Sequence, residues 1–256
     1  MPQASSKPVI VTSGGGGIGR VIATRLCAEG YRVGIIDADF GAAEETARIC
    51  AWDLSRHAWV LQVEVHDRAQ ITRAIDQFEK EAGPCARLVN LMSWSQPSQD
   101  TEAGREAWNS VVRNNVYGPL NMHHVIVQRL VRREAGRIVN VSVADASSPD
   151  HMVHTACRSA ISSFTNSTIK ELFVSDIAFN CLTVSFGGHS PFELSTSAHP
   201  TLPYALEQFA LRGDYPGAVA YLLSDEAAGI TERDISIWAP RKEDKPTTTK
   251  RKSGVR

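Results

Sequence analysis

Eight residues near the start of the chain, Thr12-Ser13-Gly14-Gly15-Gly16-Gly17-Ile18-Gly19, have the composition of a phosphate-binding turn. They follow a short apolar run, Pro8-Val-Ile-Val-Thr12, and precede a helical pattern, Arg20-Val-Ile-Ala-Thr-Arg-Leu-Cys-Ala-Glu-Gly30. Glycines between a strand and a helix let the backbone approach a pyrophosphate, which then rests on the amides and positive dipole of the helix start. Asp37 closes the next apolar run, 18 residues after Gly19, where a carboxylate can accept hydrogen bonds from an adenosine ribose. The same carboxylate would repel a 2′-phosphate, so NAD is expected as the cofactor and NADP is disfavoured. Glycines alone would fit any flexible turn; the acid at the end of the second run gives them their meaning.

These groups need a scaffold, and the chain supplies one by alternation. Short apolar runs at 8–12, 32–36, 59–65, 87–91, 137–143, 178–184 and 234–238 read as strands buried on both faces of a parallel sheet. Helix-length segments lie near 18–30, 40–52, 67–82, 103–133, 153–174 and 215–225. The pattern predicts an α/β fold, a doubly wound parallel sheet of about seven strands with helices on both faces. Residues 1–239 are expected to form one domain. Residues 186–203, rich in Gly, Pro, Ser and His, read as a flap. The tail 240–256 carries seven Lys/Arg against two acids and is expected to be disordered.

Composition excludes several classes. With 256 residues, 43% hydrophobic content, 27 basic and 28 acidic residues and a net charge of −1, the chain is neither low-complexity nor a basic nucleic-acid binder. No apolar run approaches the ~18 residues that cross a bilayer, and the first residues lack the pattern of a secretory signal. Five scattered cysteines without a Cys-x-x-Cys read as reduced thiols, so a cytoplasmic protein is expected, with no membrane or nucleic-acid partner.

The sequence resembles the short-chain dehydrogenase/reductase family from about residue 8 to 238. The family's Thr-Gly-x-x-x-Gly-Ile-Gly is matched by Thr12, Gly17, Ile18 and Gly19, with Ser13 replacing the first glycine. Glu64-Val65 stands where the family has Asp-Val beside the adenine. Asn90-Leu-Met-Ser93 keeps only the first residue of the Asn-Asn-Ala-Gly turn. The helix carrying the active-site Asn is well preserved as Trp108-Asn-Ser-Val-Val-Arg-Asn-Asn115-Val-Tyr-Gly118, and the C-terminal match includes Arg212–Ala220, Leu222–Asp225 and Gly229-Ile-Thr231. The resemblance implies a Rossmann-like fold, a small-molecule substrate and assembly into homodimers or homotetramers. It implies a dinucleotide held by Thr12, Ser13, Gly14, Gly17, Ile18, Gly19, Asp37, Glu64, Val65, Asn90 and Arg158.

The family's chemistry uses Asn, Ser, Tyr and Lys, and here the pattern changes. Alignment of Gly136-Arg-Ile-Val-Asn-Val-Ser-Val143 places Val143 at the serine position, with Ser142 just before it. Alignment of Arg158-Ser-Ala-Ile161 on Lys-Ala-Ala-Leu places His154 at the tyrosine and Arg158 at the lysine. The family's Pro-Gly after the sixth strand falls on Val184-Ser185. Of the four catalytic positions only Asn115 is retained. His154 can donate a proton as imidazolium, although Arg158 one turn along favours the neutral ring. Arg158 can hold ribose hydroxyls or an anion. Ser142 faces away from the Val143 side of its strand and reaches the same site only through a bulge or shifted register.

Asp145 and Asp150 flank the expected cleft and suit turns better than catalysis. His123-His124 lies on a long helix, one ring expected toward the core and the other outward, with no second ligand pair for a metal. His189 and His199 in the flap, and Trp94 beyond the Asn90 turn, are further candidates for lining a pocket. Three readings remain: an NAD-linked oxidoreductase using Asn115, Ser142, His154 and Arg158; a non-redox enzyme, such as a lyase, isomerase or dehalogenase, on the same fold; and a catalytically inactive member that keeps the fold for assembly or ligand sensing.

Overall fold

β1 (Pro8–Thr12) leads through the glycine turn into α1 (Gly17–Ala28), then β2 (Arg32–Asp37) and α2 (Phe40–Leu54). β3 (Ala58–Gln62), α3 (Arg68–Ala82) and β4 (Arg87–Leu91) complete the first half. In the second half, α4 (Thr101–Val112) passes through a π turn, Arg113–Tyr117, into α5 (Gly118–Arg133). β5 (Ala135–Ala144), α6 (His151–Glu171), β6 (Asp176–Ser185), α7 (Tyr215–Leu223) and β7 (Arg233–Trp238) follow. The computed structural model describes residues 7–54, 57–92, 101–144, 151–171, 176–185 and 214–238.

All seven strands join one parallel sheet in the order β3-β2-β1-β4-β5-β6-β7. Because the side-chain period of a strand is two, each buried strand feeds both faces, which is why these runs are apolar without alternation. Val9, Val11, Val33, Ile35, Val89, Val139 and Val141 pack under α1 and α7. Ile10, Ile36, Leu88, Ile138 and Phe179 pack under α3 and α5. α3 shows how the helices are fitted to this task. Ile71, Ile75, Phe78 and Ala82 form its buried stripe, and Asp67 caps its start by accepting from the amides of Ala69 and Gln70.

The strand order reverses between β1 and β4, where neighbouring connections leave to opposite faces and open a crevice at the carboxyl ends of the strands. Two expected elements differ. β3 ends at Gln62 instead of continuing to 65, because β2 ends at Asp37 and offers no further partner; Val63–Val65 bend across the crevice. The expected 103–133 helix is divided by the π turn, with Pro119 at the start of α5. Among the described residues no helix is long and apolar enough to cross a membrane.

One polar chain is sealed within this packing. His123 of α5 lies against Asn140 (Nε2 to Oδ1, 3.0 Å), whose amide donates to Thr165 Oγ1 of α6 at 2.9 Å. Cys181 of β6 meets the same hydroxyl at 3.8 Å. The His123 ring packs edge-on to Phe164 and tilted on Phe179, and burial pushes its pKa down to about 4. His124, the next residue, points outward to Gln128.

Candidate active site

The crevice at the β1–β4 switch holds a cleft of about 160 Å³. Thr12, Ser13, Ile36, Asp37, Ala38, Val63 and Glu64 line one part of it. Val65, Asn90, Leu91, Asn114, Gly118 and Pro119 line the rest. Six of the expected dinucleotide residues are therefore brought together: Thr12, Ser13, Asp37, Glu64, Val65 and Asn90. Gly14, Gly17, Ile18 and Gly19 form the adjoining turn and helix start.

The local sequence explains this geometry. Thr12 Oγ1 accepts from the Leu91 amide at 2.9 Å and locks β1 to β4 at the crevice. Asn90 donates to the Pro119 carbonyl at 3.3 Å and fixes the start of α5. Gly17 adopts φ +46° and Ser13 φ +50°, so the serine occupies a left-handed conformation in which glycine would be unstrained. A Cβ at Gly19 would lie 2.0 Å from the Ser13 carbonyl oxygen, so only glycine lets the helix start this close. At Gly16 and Gly17 a Cβ would meet nothing within 4 Å, and Gly16 begins α1 without a side-chain cap. An open glycine surface beside uncapped helix amides fits a phosphate group.

Asp37 is held from two sides. Its Oδ2 accepts from the Gly15 amide at 2.9 Å, and its Oδ1 accepts from the Asp39 amide at 3.1 Å. A carboxylate has about four acceptor positions, so two remain for a vicinal diol. The loop after β3 is fixed by Asn121, which donates to the carbonyls of Val65 and His66, while Val65 packs where a Gly118 Cβ would be 2.7 Å away. Asn114, Gly118 and Pro119 were not singled out from the sequence. Their signal was position, within four residues of the preserved Asn115.

Asn115, Ser142, His154 and Arg158 are not among the residues that line the cleft described above. Asn115 is fully buried in the π turn, against which α6 packs. His154 is 7% exposed, between Val153 and Cys157, whose side chains meet Met92 and Val111. Arg158 follows one turn later and is half-buried. β5 and β6 stay in register through Ala144↔Ser185, with no bulge or shift. Ser142 thus shares the sheet face of Asn140, the face covered by α6, and its Oγ lies 3.2 Å from Thr183 Oγ1. Val143 packs on the opposite side against the α1–α7 core. Ser93, Trp94, Asp145, Asp150, His189, His199, the flap and the tail lie outside the described residues. No group of three metal-ligating side chains occurs among the described residues.

The family model for short chain dehydrogenase matches residues 7–188. The 2-(S)-hydroxypropyl-CoM dehydrogenase 3 of Xanthobacter autotrophicus is 29% identical over 249 residues, covering 92% of this chain and 96% of that protein. The 3-oxoacyl-[acyl-carrier-protein] reductase FabG of Staphylococcus aureus is 24% identical over 242 residues, covering 91% and 96% respectively. The fold is shared with actinorhodin polyketide ketoreductase solved with NADPH, at TM-score 0.73 and 22% identity over 93% of this chain and 98% of that one. It is shared equally with NAD+-bound xylitol dehydrogenase, at TM-score 0.72 and 20% identity over 91% and 98%. With the glycine turn, the seven-stranded order and a match across most of its length, the chain belongs to the short-chain dehydrogenase/reductase family.

Proposed function

We propose that this protein is an NAD(H)-binding oxidoreductase acting on the carbonyl or alcohol group of a small molecule, with a modified proton-transfer set. The observation that carries the dinucleotide half of this reading is Asp37, held by two backbone amides at the edge of the β1–β4 cleft. Its remaining acceptor positions suit the two ribose hydroxyls, and its charge opposes a 2′-phosphate. Glu64 and Val65 would flank the base, and the Gly16–Ile18 backbone would hold the pyrophosphate. When bound, the dinucleotide supplies or accepts hydride.

The chain's own residues must then handle the proton. His154 would donate it to the carbonyl oxygen in reduction and take it back in oxidation. Arg158, one turn along the same helix, would hold the nicotinamide ribose by hydrogen bonds and, unlike lysine, stays charged throughout. Asn115 keeps the family position within the π turn. The relatives' names, a dehydrogenase and a reductase, support a carbonyl/alcohol substrate, and the family resemblance supports a homodimer or homotetramer.

A second reading has its own support. His154 is buried beside apolar residues and the Ser142 hydroxyl is engaged with Thr183, an arrangement that suits a nucleotide-binding member without standard hydride transfer. One experiment separates the two. NADH oxidation is followed against a carbonyl panel with wild type and His154→Ala. A loss of roughly 10²–10⁴-fold in rate supports the oxidoreductase mechanism. Turnover indifferent to His154→Ala removes His154 from it, and NADH binding without turnover favours the second reading.

A further inference from the structure

Gly15 is held on both sides of its Cα, through the amide of the Gly14–Gly15 peptide and the carbonyl of the Gly15–Gly16 peptide. Its amide donates to Asp37 Oδ2 at 2.9 Å. Its carbonyl accepts from Arg20 Nη2 at 2.5 Å, from Arg20 Nε at 3.1 Å and from Thr46 Oγ1 at 3.3 Å. Arg20 Nε also meets Thr46 Oγ1 at 3.0 Å, and Thr46, a residue of α2, is wholly buried. A Cβ on Gly15 would lie 2.8 Å from Asp37 Oδ2 and 2.9 Å from both Ala42 Cβ and the Ala43 amide nitrogen. Gly15 therefore fits one backbone conformation, and the groups that set it come from α1, α2 and the end of β2.

We infer that Arg20, braced by Thr46, is a positioning residue for dinucleotide selection: by holding the Gly15 carbonyl it limits the backbone rotations of Gly15, so that the amide on the other side of its Cα holds the Asp37 carboxylate toward the cleft. This inference rests on the proposal that the cleft binds a dinucleotide. A glycine has wide freedom about both bonds to its Cα, and a carbonyl anchored by a guanidinium removes much of that freedom, which keeps the neighbouring amide directed at Asp37. The Arg20 side chain is half-buried, and burial lowers its pKa against the opposing pull of Glu45 and Asp37. Its donors are directed to the Gly15 and Ala42 carbonyls and the Thr46 hydroxyl.

The test titrates NADH and NADPH by fluorescence into wild type, Arg20→Met, Arg20→Lys and Thr46→Val. Exchange of the Gly15 amide is followed by NMR in the ligand-free proteins. Arg20→Met should weaken NADH binding roughly tenfold while leaving NADPH binding within about twofold. Arg20→Lys should restore part of the loss, since one ammonium donor can reach the Gly15 carbonyl. Thr46→Val, which removes the brace and keeps the volume, should shift NADH affinity in the same direction and serves if Arg20→Met does not fold. Gly15 exchange should accelerate about tenfold in Arg20→Met, with the β1 amides unchanged. Selective loss of NADPH binding would make Arg20 a phosphate ligand and overturn the inference. Unchanged NADH affinity, or unchanged Gly15 exchange, in folded Arg20→Met would overturn it as well. Wild type that binds neither dinucleotide refutes the underlying nucleotide proposal, a result distinct from wild-type binding that ignores Arg20.

Discussion

The buried His123 makes a quantitative demand on stability. Its pKa in the folded protein is about 4 against an ordinary 6.5, because burial disfavours the charged ring. Between those values the unfolded chain binds a proton that the native state refuses, so stability falls as pH drops from 6.5 toward 4 and is fully present above 6.5. The whole interval amounts to about 3 kcal/mol, and the step from pH 7 to pH 5 to about 2 kcal/mol. In a domain of this size the latter lowers the melting temperature by roughly 4–8 °C. The rings around His123, Phe164 and Phe179, and its partner Asn140 carry no charge to relieve the penalty. Acidification also protonates carboxylates such as Asp225, whose pKa is lowered chiefly by the Lys7 hydrogen bond. The measurement is therefore a difference. Urea unfolding of wild type and His123→Gln at pH 7 and pH 5 should show the variant losing about 2 kcal/mol less on acidification, whatever its stability at pH 7. Equal losses in the two proteins would refute the reasoning.

Asp37→Ala should weaken NADH binding and narrow the preference over NADPH, read as the ratio of the two dissociation constants; wild type that prefers NADPH contradicts the role given to Asp37. At Ser13 the left-handed backbone should make Ser13→Val about 2 kcal/mol less stable than Ser13→Gly by urea unfolding, since a β-branched residue tolerates that conformation worst. Equal stabilities would show that the turn relaxes to another conformation.

Much of the nucleotide end was legible because its determinants are local. A glycine turn, a helix start and an acid at the end of the next strand are separated by fixed element lengths, and the fold joins them as the spacing implied. Glu64 and Val65 were legible only through the family resemblance, since they belong to a bend set by the end of β2. Asn114, Gly118 and Pro119 reach the cleft because of the π turn, which no periodicity announces. The face of Ser142 needed the register of β5 against β6, a property of two strands and of neither alone. Similarly, no rule of sequence says that Arg20 turns back onto Gly15, for that depends on Thr46 arriving from α2.

The π turn carries a consequence for how the chain tolerates insertion and deletion. A π turn accommodates one residue more than an α-helical turn, so it absorbs that residue and lets the helices on either side keep the phase of one rod. Upstream, Val111 is aimed at α6; downstream, Met122, Ile126 and Leu130 are aimed at the sheet. Removing a single residue between Arg113 and Tyr117 would let the rod close into regular helix with the phase of α5 nearly unchanged, whereas the same loss at Leu120 or Asn121, in regular α-helix, would turn everything after it by about 100°. The apolar stripe of α5 would swing off the sheet, and His123 would leave Asn140. A codon lost in the π turn would cost one residue, whereas one lost a turn later would rotate the rest of α5 at once.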